Sequence, residues 1–129
     1  MRLLLDTCAL LWLADDREQL SDAALDALSK KDTQLLVSAI SAFEIAVKVR
    51  KGKLALTRPV RDWFMHAVSA FSLLEIPVSS TIAVYSCEVP LTHNDPADRI
   101  IVATAILEGI PVVTSDHLIL DCPGLATIW

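Results

Sequence analysis

Short apolar runs alternate with longer segments of helical periodicity, and this alternation constrains the fold more than any other feature of the chain. The apolar runs lie at residues 2–5, 35–37, 73–76, 112–114 and 126–129. Their length and composition are typical of buried strands. Strands that alternate with helices indicate a parallel sheet covered on both faces. The predicted fold class is therefore α/β, with a central, mainly parallel sheet between helices.

Local signals mark where the predicted helices begin and end. Asp95 followed by Pro96 is the clearest start, because aspartate caps a helix and proline fits its first turn. Gly109 is a plausible stop for that helix. A further helix is predicted from Ser41 to Arg50, where hydrophobic residues recur at helical spacing. No linker interrupts the pattern, so a single domain is expected over residues 1–129.

The composition is that of a compact domain with a large apolar core. Of the 129 residues, 53% are hydrophobic and 21% are charged. No apolar run approaches the roughly 18 residues that a membrane span requires, so a cytoplasmic location is expected. The three cysteines, Cys8, Cys87 and Cys122, lack a CxxC spacing, which argues against a disulfide framework or a structural zinc site. They are expected to be small buried hydrophobic residues.

The formal net charge of −5 does not favour broad, non-specific binding to nucleic acid, which depends on a cationic surface. Local charge differs from this average. Six of the eleven basic residues fall in one short stretch: Lys48, Arg50, Lys51, Lys53, Arg58 and Arg61. This stretch is either a solvated helix end, where cations suit the helix dipole, or a patch that contacts phosphates.

Four acidic residues, Asp6, Glu44, Asp98 and Asp116, are the candidates for chemistry. Each lies where a strand-like run gives way to a helix, or one turn into the helix that follows. Each also has a local explanation as a helix cap, a first-turn acid or a turn residue, and Ser41 with Glu44 matches the capping box. In a parallel sheet, however, the carboxyl ends of the strands form one crevice, so a single fold would bring all four acids together.

Gathered carboxylates need cations or protons, because two unit charges about 4 Å apart repel by roughly 4 kcal/mol at an effective dielectric near 20. Oxygen ligands without supporting histidine or cysteine suit Mg²⁺ or Mn²⁺. Such a site fits hydrolysis of a phosphodiester by a metal-activated water. The scattered histidines, His66, His93 and His117, are expected to have surface or cap roles. No Walker loop, Ser-His-Asp set or catalytic cysteine arrangement competes with this chemistry.

Four segments, in order along nearly the whole chain, resemble the motifs of PIN-domain proteins. They are LLDT at 4–7, SAFEIAVK at 41–48, HNDPADR with IIVA at 93–103 and VTSD at 113–116. The third motif is the most specific. The subgroup that the chain most resembles is the VapC-type toxins of bacterial toxin–antitoxin pairs. The resemblance implies a three-layer α/β/α sandwich and a Mg²⁺-dependent endoribonuclease.

The resemblance also implies a role for each acid. Asp6 and Asp98 would be the principal metal ligands, and Glu44 would complete the acidic site and help to hold the metal or its water. Asp116 would bind a second metal or support the first, so one or two ions of Mg²⁺ or Mn²⁺ are expected.

Further expectations follow from the same resemblance. Thr7 and Ser115 would orient the acids by hydrogen bonds, and a homodimer and a small antitoxin that masks the site are implied. Ala97 departs from the pattern, since relatives often carry a bulky aromatic residue there, and this bears on substrate fit. RNA contact would come from a local basic patch, for which the candidates are Lys48, Arg50, Lys51 and Lys53.

Two other functions fit parts of the pattern. A PIN-like module that binds RNA or protein without cutting would use the same acidic cavity, although it has no reason to keep four repelling charges. A phosphoryl-transfer domain of receiver or haloacid-dehalogenase type also places an aspartate after its first strand. The latter enzymes need a second aspartate two residues later, where this chain has Cys8.

Overall fold

The computed structural model describes residues 1–129 and contains one five-stranded sheet. All four pairings between neighbouring strands are parallel, and the order across the sheet is β3-β2-β1-β4-β5. The predicted α/β class with a mainly parallel sheet is confirmed. The strands are β1 (Arg2–Leu5), β2 (Gln34–Ser38), β3 (Leu74–Ile76), β4 (Val112–Val113) and β5 (Thr127–Ile128).

Seven α-helices surround the sheet, and none of them has the length and apolar character needed to cross a bilayer. The one-turn helix α7 and a short 3-10 helix at Arg17–Gln19 were not predicted, because so few residues establish no periodicity. The helices are α1 (Thr7–Asp15), α2 (Asp22–Ser29), α3 (Ala39–Arg50), α4 (Val60–Ala70), α5 (Ser80–Ser86), α6 (Pro96–Glu108) and α7 (His117–Leu120).

Strand β1 shows how the helices form two layers. Successive side chains of a strand point to opposite faces of its sheet. Leu3 and Leu5 pack into one apolar cluster together with residues of α1 to α4, whereas Leu4 packs on the other face against Ile101 and Ala105 of α6. All three leucines are fully buried. The result is the expected three-layer α/β/α sandwich.

Helix α3 begins earlier than predicted. Its cap is Ser38, the last residue of β2, whose hydroxyl accepts a hydrogen bond from the backbone N–H of Ile40 at 3.1 Å. Ser41 instead lies buried within the helix, where its hydroxyl oxygen accepts a hydrogen bond from Thr7. The capping-box interpretation of Ser41 and Glu44 was therefore wrong, because the chain turns into the helix directly from the strand.

The order of the strands creates a crevice between the carboxyl ends of β1 and β4. The chain leaves β1 for β2 on one side and returns later to β4 on the other. Ligand sites of open α/β sheets lie at such a reversal of strand order. Asp6 follows β1 directly, and its backbone N–H donates to the carbonyl oxygen of Val113 at the end of β4. Asp6, the first of the four predicted acids, therefore lies in the crevice between β1 and β4.

Candidate metal centre at the carboxyl edge of the sheet

One cleft of about 340 Å³ lies at this crevice, and we call it the acidic cleft. It brings together residues from the start of α1, from α3, from α6 and the loop before it, and from the loop after β4, which are far apart in sequence. All six residues predicted as catalytic or supporting line it: Asp6, Thr7, Glu44, Asp98, Ser115 and Asp116. The structure also adds a histidine, His93, to this lining.

Asp6 lies at the floor of the acidic cleft and is 5% exposed. One carboxylate oxygen accepts the backbone N–H of Ala9 at 2.7 Å and so caps α1, while the other accepts the hydroxyl of Thr114 at 2.5 Å. Burial raises the pKa of Asp6 to about 6, although both hydrogen bonds lower it and the charges of Glu44 and Asp116 raise it further. The cap role and the cleft position therefore coexist in one side chain.

Asp98 lies on the first turn of α6, and its carboxylate faces the acidic cleft. It shares a helical face with Val102 and Ala105, both of which are buried, as the spacing predicted. Burial raises the pKa of Asp98 to about 7, with the charges of Asp95 and Glu44 adding to the rise. A nearby cation would therefore stabilise the ionised form of the Asp98 carboxylate.

Glu44 projects from α3 and has one carboxylate oxygen without any partner. Its Oε2 lies 3.7 Å from the ammonium nitrogen of Lys48, one helical turn away. Its Oε1 is buried and makes no hydrogen bond. A buried charged oxygen without a partner is costly, so a cation or a bound water is needed to satisfy it.

Asp116 serves as a helix cap and also faces the acidic cleft. Its Oδ1 accepts the backbone N–H of Leu118 at 2.8 Å and caps α7. Its Oδ2 lies 3.6 Å from Nε2 of His93. The local role of Asp116 is therefore that of a helix cap and not of the turn residue that was considered, and the fold also places its carboxylate in the acidic cleft.

Hydrogen bonds around the acids come partly from residues other than those predicted. Thr7 donates its hydroxyl to Ser41 at 2.9 Å and so joins α1 to α3. Ser115 lines the acidic cleft, but the hydroxyl that contacts Asp6 belongs to Thr114. Thr114 also accepts the backbone N–H of Asp116 at 3.0 Å, so one buried hydroxyl links the acids that follow β1 and β4.

His93 lies in the acidic cleft, and the prediction of a surface or cap role for it was wrong. Its Nε2 is 2.9 Å from Oδ2 of Asp98 and 3.6 Å from Oδ2 of Asp116. The sequence contained one signal for this position, since His93 opens the third motif two residues before the helix cap Asp95. By contrast, His117 is the exposed first residue of α7, and the exposed His66 lines a separate cavity beside Trp63.

The three cysteines differ in burial. Cys8 borders the acidic cleft, where burial raises its thiol pKa to about 11, with the charge of Asp6 next in importance. Cys122 is buried as predicted. Cys8 is half-buried and Cys87 is exposed, so the expectation of three buried cysteines was wrong for both. Cys8 borders the acidic cleft, and Cys87 caps the end of the short helix α5 on the outer surface.

The donor set fits a divalent metal ion. Ligand atoms of His93, Asp98 and Asp116 lie within 4.8 Å of one another. Glu44 adds the unpartnered Oε1, and Asp6 completes the acidic lining. The four carboxylates among these side chains suit a hard cation such as Mg²⁺ or Mn²⁺, and His93 is the one nitrogen-bearing group beside them.

A larger groove of about 510 Å³ borders the acidic cleft, and Glu44 and Lys48 line both. We call it the lysine groove, because Lys48, Lys51 and Lys53 form its cationic part. Its apolar part includes Phe43, which is 64% exposed, and Ala97 at the start of α6. The small side chain at position 97 leaves space between α3 and α6. The other three members of the basic stretch lie elsewhere: Arg50 and Arg61 line neither the cleft nor the groove, and Arg58 lines the cavity beside Trp63.

Comparison with known proteins identifies the family. The pattern of the PIN domain matches residues 3–122 of this sequence. The chain belongs to the PIN-domain family. This PIN domain is 33% identical over 129 residues to Ribonuclease VapC22 of Mycobacterium tuberculosis, a match that covers 98% of this chain and 97% of that protein. It is therefore a VapC-type nuclease.

Solved structures agree with this assignment. The PIN domain is similar to a toxin–antitoxin complex from Klebsiella pneumoniae, with 27% identity, a TM-score of 0.66 and coverage of 97% of this chain and 96% of that one. It also shares the fold of VapBC2 from Rickettsia felis bound to a promoter DNA fragment. That match has 19% identity, a TM-score of 0.68 and coverage of 98% and 97% of the two chains.

Proposed function

We propose that this PIN-domain nuclease is a metal-dependent endoribonuclease that hydrolyses RNA phosphodiester bonds as the toxin of a toxin–antitoxin pair. The observation that carries the proposal is the convergence of Asp6, Glu44, Asp98 and Asp116 in the acidic cleft. The name of the Mycobacterium tuberculosis relative, a ribonuclease, supports RNA as the substrate.

In this proposal, Asp6 and Asp98 are the principal ligands of Mg²⁺ or Mn²⁺, and Asp116 supports them or holds a second ion. The raised pKa values of Asp6 and Asp98 in the metal-free protein are consistent with ligands that a cation would stabilise in the ionised form. The bound metal would polarise the phosphate and lower the pKa of a coordinated water.

The side chains of the cleft then position the attacking water and the phosphate. Glu44 would accept a proton from the water through its unpartnered Oε1. The resulting hydroxide would bond to phosphorus, the bond to the leaving oxygen would break, and that oxygen would take up a proton from solvent water, while Glu44 would return its proton to the solvent. Lys48, 3.7 Å from Glu44 and at the border of both cavities, would contact the negative phosphate oxygens. Thr7 and Ser115 would act as supporting residues around the acids.

The lysine groove is the proposed path of the RNA next to the cleaved bond. Lys51 and Lys53 would contact backbone phosphates, and the exposed ring of Phe43 would stack on a base. Arg50 lies outside both cavities and is left out of this path. A local cationic groove explains how a protein with a net charge of −5 can hold RNA.

Two protein partners complete the proposal. The solved relatives include toxin–antitoxin complexes, which supports an antitoxin that covers the acidic cleft. A homodimer, as the family resemblance implies, is also proposed. A toxin that acts on cellular RNA would work in the cytoplasm.

The test is cleavage of structured RNAs by purified protein with Mg²⁺, with Mn²⁺ or with EDTA, in the wild type and in Asp6→Asn. We expect cleavage that requires metal and is lost in the variant. Cleavage that persists in EDTA would overturn the metal mechanism. Metal binding without cleavage of any RNA would instead support a binding module.

The toxin role needs a separate experiment in cells. We expect expression of the wild type alone to arrest growth and co-expression of the neighbouring open reading frame to restore it. Asp6→Asn is the matched control and should not arrest growth. Growth that is unaffected by an active wild-type enzyme would contradict the toxin assignment but not the nuclease assignment.

A further inference from the structure

His93 lines the acidic cleft but has no role among the four acids or in the proposed function. Its Nε2 lies 2.9 Å from Oδ2 of Asp98 and 3.6 Å from Oδ2 of Asp116. At 2.9 Å, the imidazole is in close polar contact with the carboxylate of Asp98. A single imidazole thus stands between two carboxylates that come from different parts of the chain.

The backbone around His93 is held by Arg99, the residue that follows Asp98 on α6. The Arg99 guanidinium donates hydrogen bonds to four backbone carbonyl oxygens, two of them at 2.7 Å (Leu91) and 3.1 Å (His93). The other two belong to Ser86 and Val89. The loop before α6 is therefore attached to the same helical turn that carries Asp98, which fixes the distance between the imidazole and that carboxylate.

The remaining ring nitrogen indicates how His93 faces the acids. The backbone N–H of Asp95 points at Nδ1 of His93 at 3.5 Å, so Nδ1 acts as the acceptor. Nε2 then carries the ring hydrogen, and this side of the ring faces Asp98 and Asp116. The contact involves Oδ2 of Asp98, so the other oxygen, Oδ1, is available to a metal.

We propose that His93 is a positioning residue of the metal centre, which holds Asp98 and steadies Asp116 through Nε2–H without binding the metal itself. This inference rests on the proposed metal-dependent function. Residues that orient metal ligands typically change metal affinity by about 10-fold to 100-fold when they are removed. In a cleft with four acids, His93 would keep Asp98 in its ligand position despite repulsion from its neighbours.

The experiment measures the affinity for Mn²⁺ by calorimetry in the wild type, His93→Ala, His93→Gln and His66→Ala. We expect His93→Ala to bind Mn²⁺ about 10-fold to 100-fold more weakly. His93→Gln should recover most of this loss, because an amide N–H can replace Nε2–H. His66→Ala is the matched control, since His66 is exposed and lies in a separate cavity, and should bind as the wild type does.

Pulsed electron paramagnetic resonance of bound Mn²⁺ separates positioning from ligation. We expect no coupling from a directly bound nitrogen in the wild type. A strong nitrogen coupling that disappears in His93→Gln would make His93 a ligand and overturn the proposal. Equal Mn²⁺ affinity in the wild type and both His93 variants would overturn it too, while leaving the metal-dependent function intact. If the wild type binds no Mn²⁺ or Mg²⁺, the metal centre itself is wrong.

Discussion

The acidic cleft and the lysine groove share a wall but differ in almost every other property. The cleft measures about 340 Å³ and has one hydrophobic residue among the ten that line it, whereas the groove measures about 510 Å³ and has four of ten. All four acids line the smaller cavity and only Glu44 among them also lines the larger one, whereas all three lysines line the larger cavity and only Lys48 also lines the smaller one. The larger of the two cavities is therefore not the one that contains all the candidate catalytic residues. The groove suits the binding of a substrate, and the cleft suits its reaction.

Helix α3 forms the boundary between these two environments. Glu44 points its carboxylate into the cleft, Lys48 lies one turn later at the border, and Lys51 lies at the helix end in the groove. Negative charge therefore gives way to positive charge within about two helical turns. If the cleft carries out the reaction and the groove binds the RNA, substitutions in the cleft should lower kcat and substitutions in the groove should raise KM.

The largest effect is expected for Asp98→Asn in the cleft. Loss of a metal ligand removes several kcal/mol of transition-state stabilisation, so kcat should fall on the order of 1,000-fold while KM changes little. Steady-state cleavage of RNA measures both constants. Asp62→Asn, on the exposed side of α4, is the control and should behave as the wild type. A rise in KM at constant kcat would contradict the assignment of the reaction to the cleft and of RNA binding to the groove.

The next effect concerns stability and pH in the metal-free protein. Because the folded pKa of Asp6 is raised from 3.8 to about 6, its stabilising contribution is full below pH 3.8 and is lost as the pH rises through about 6. The whole difference is about 3 kcal/mol, and Asp98, with a pKa of about 7, acts in the same direction.

Chemical denaturation in EDTA should therefore give a lower free energy of unfolding at pH 8 than at pH 5. Saturating Mn²⁺ should reduce the difference, because a bound metal stabilises the ionised carboxylates. Asp6→Asn should weaken the pH dependence in EDTA. Stability that rises from pH 5 to pH 8 in EDTA would contradict the burial of this acid.

A smaller effect is expected when Thr114 is replaced by valine. Val has nearly the shape of Thr but cannot donate to Asp6, so Mn²⁺ affinity should fall about 10-fold or more. Ser115→Ala is the matched comparison, because Ser115 lines the cleft without touching Asp6. If calorimetry finds the larger loss of Mn²⁺ affinity in Ser115→Ala, then Ser115 is the supporting residue, as the sequence predicted.

The smallest effect is expected for Lys51→Glu in the groove. We expect KM for RNA to rise severalfold with kcat nearly unchanged, because a single phosphate contact is lost. The dependence of binding on salt should also weaken by a logarithmic slope of about 0.7. Arg58→Glu carries the same change of charge in a separate cavity and is the control. Equal effects of both variants would mean that overall charge, rather than the groove, governs RNA binding.

Features that depend only on residues close in sequence were predicted, whereas features that depend on distant residues were missed. The cap at Asp95 and the buried strand Arg2–Leu5 depend on neighbouring residues only, and both were predicted from the sequence. The start of α3 was misplaced, because Ser41 fits a cap as well as Ser38 does until the end of β2 is known. His93 and Thr114 were missed because their partners are distant residues brought close by the strand order.

The sequence by itself determined the α/β class, the ordered motifs and the four acids. The reason is that alternating hydrophobicity and helix caps depend only on residues that are close to one another along the chain. The tertiary structure alone decided that β1 and β4 are neighbours and that one cleft holds all four acids. It also decided that His93 stands between Asp98 and Asp116. The physical reason is that burial, charge repulsion and hydrogen bonding act between side chains in space, and only the packed sheet sets those distances.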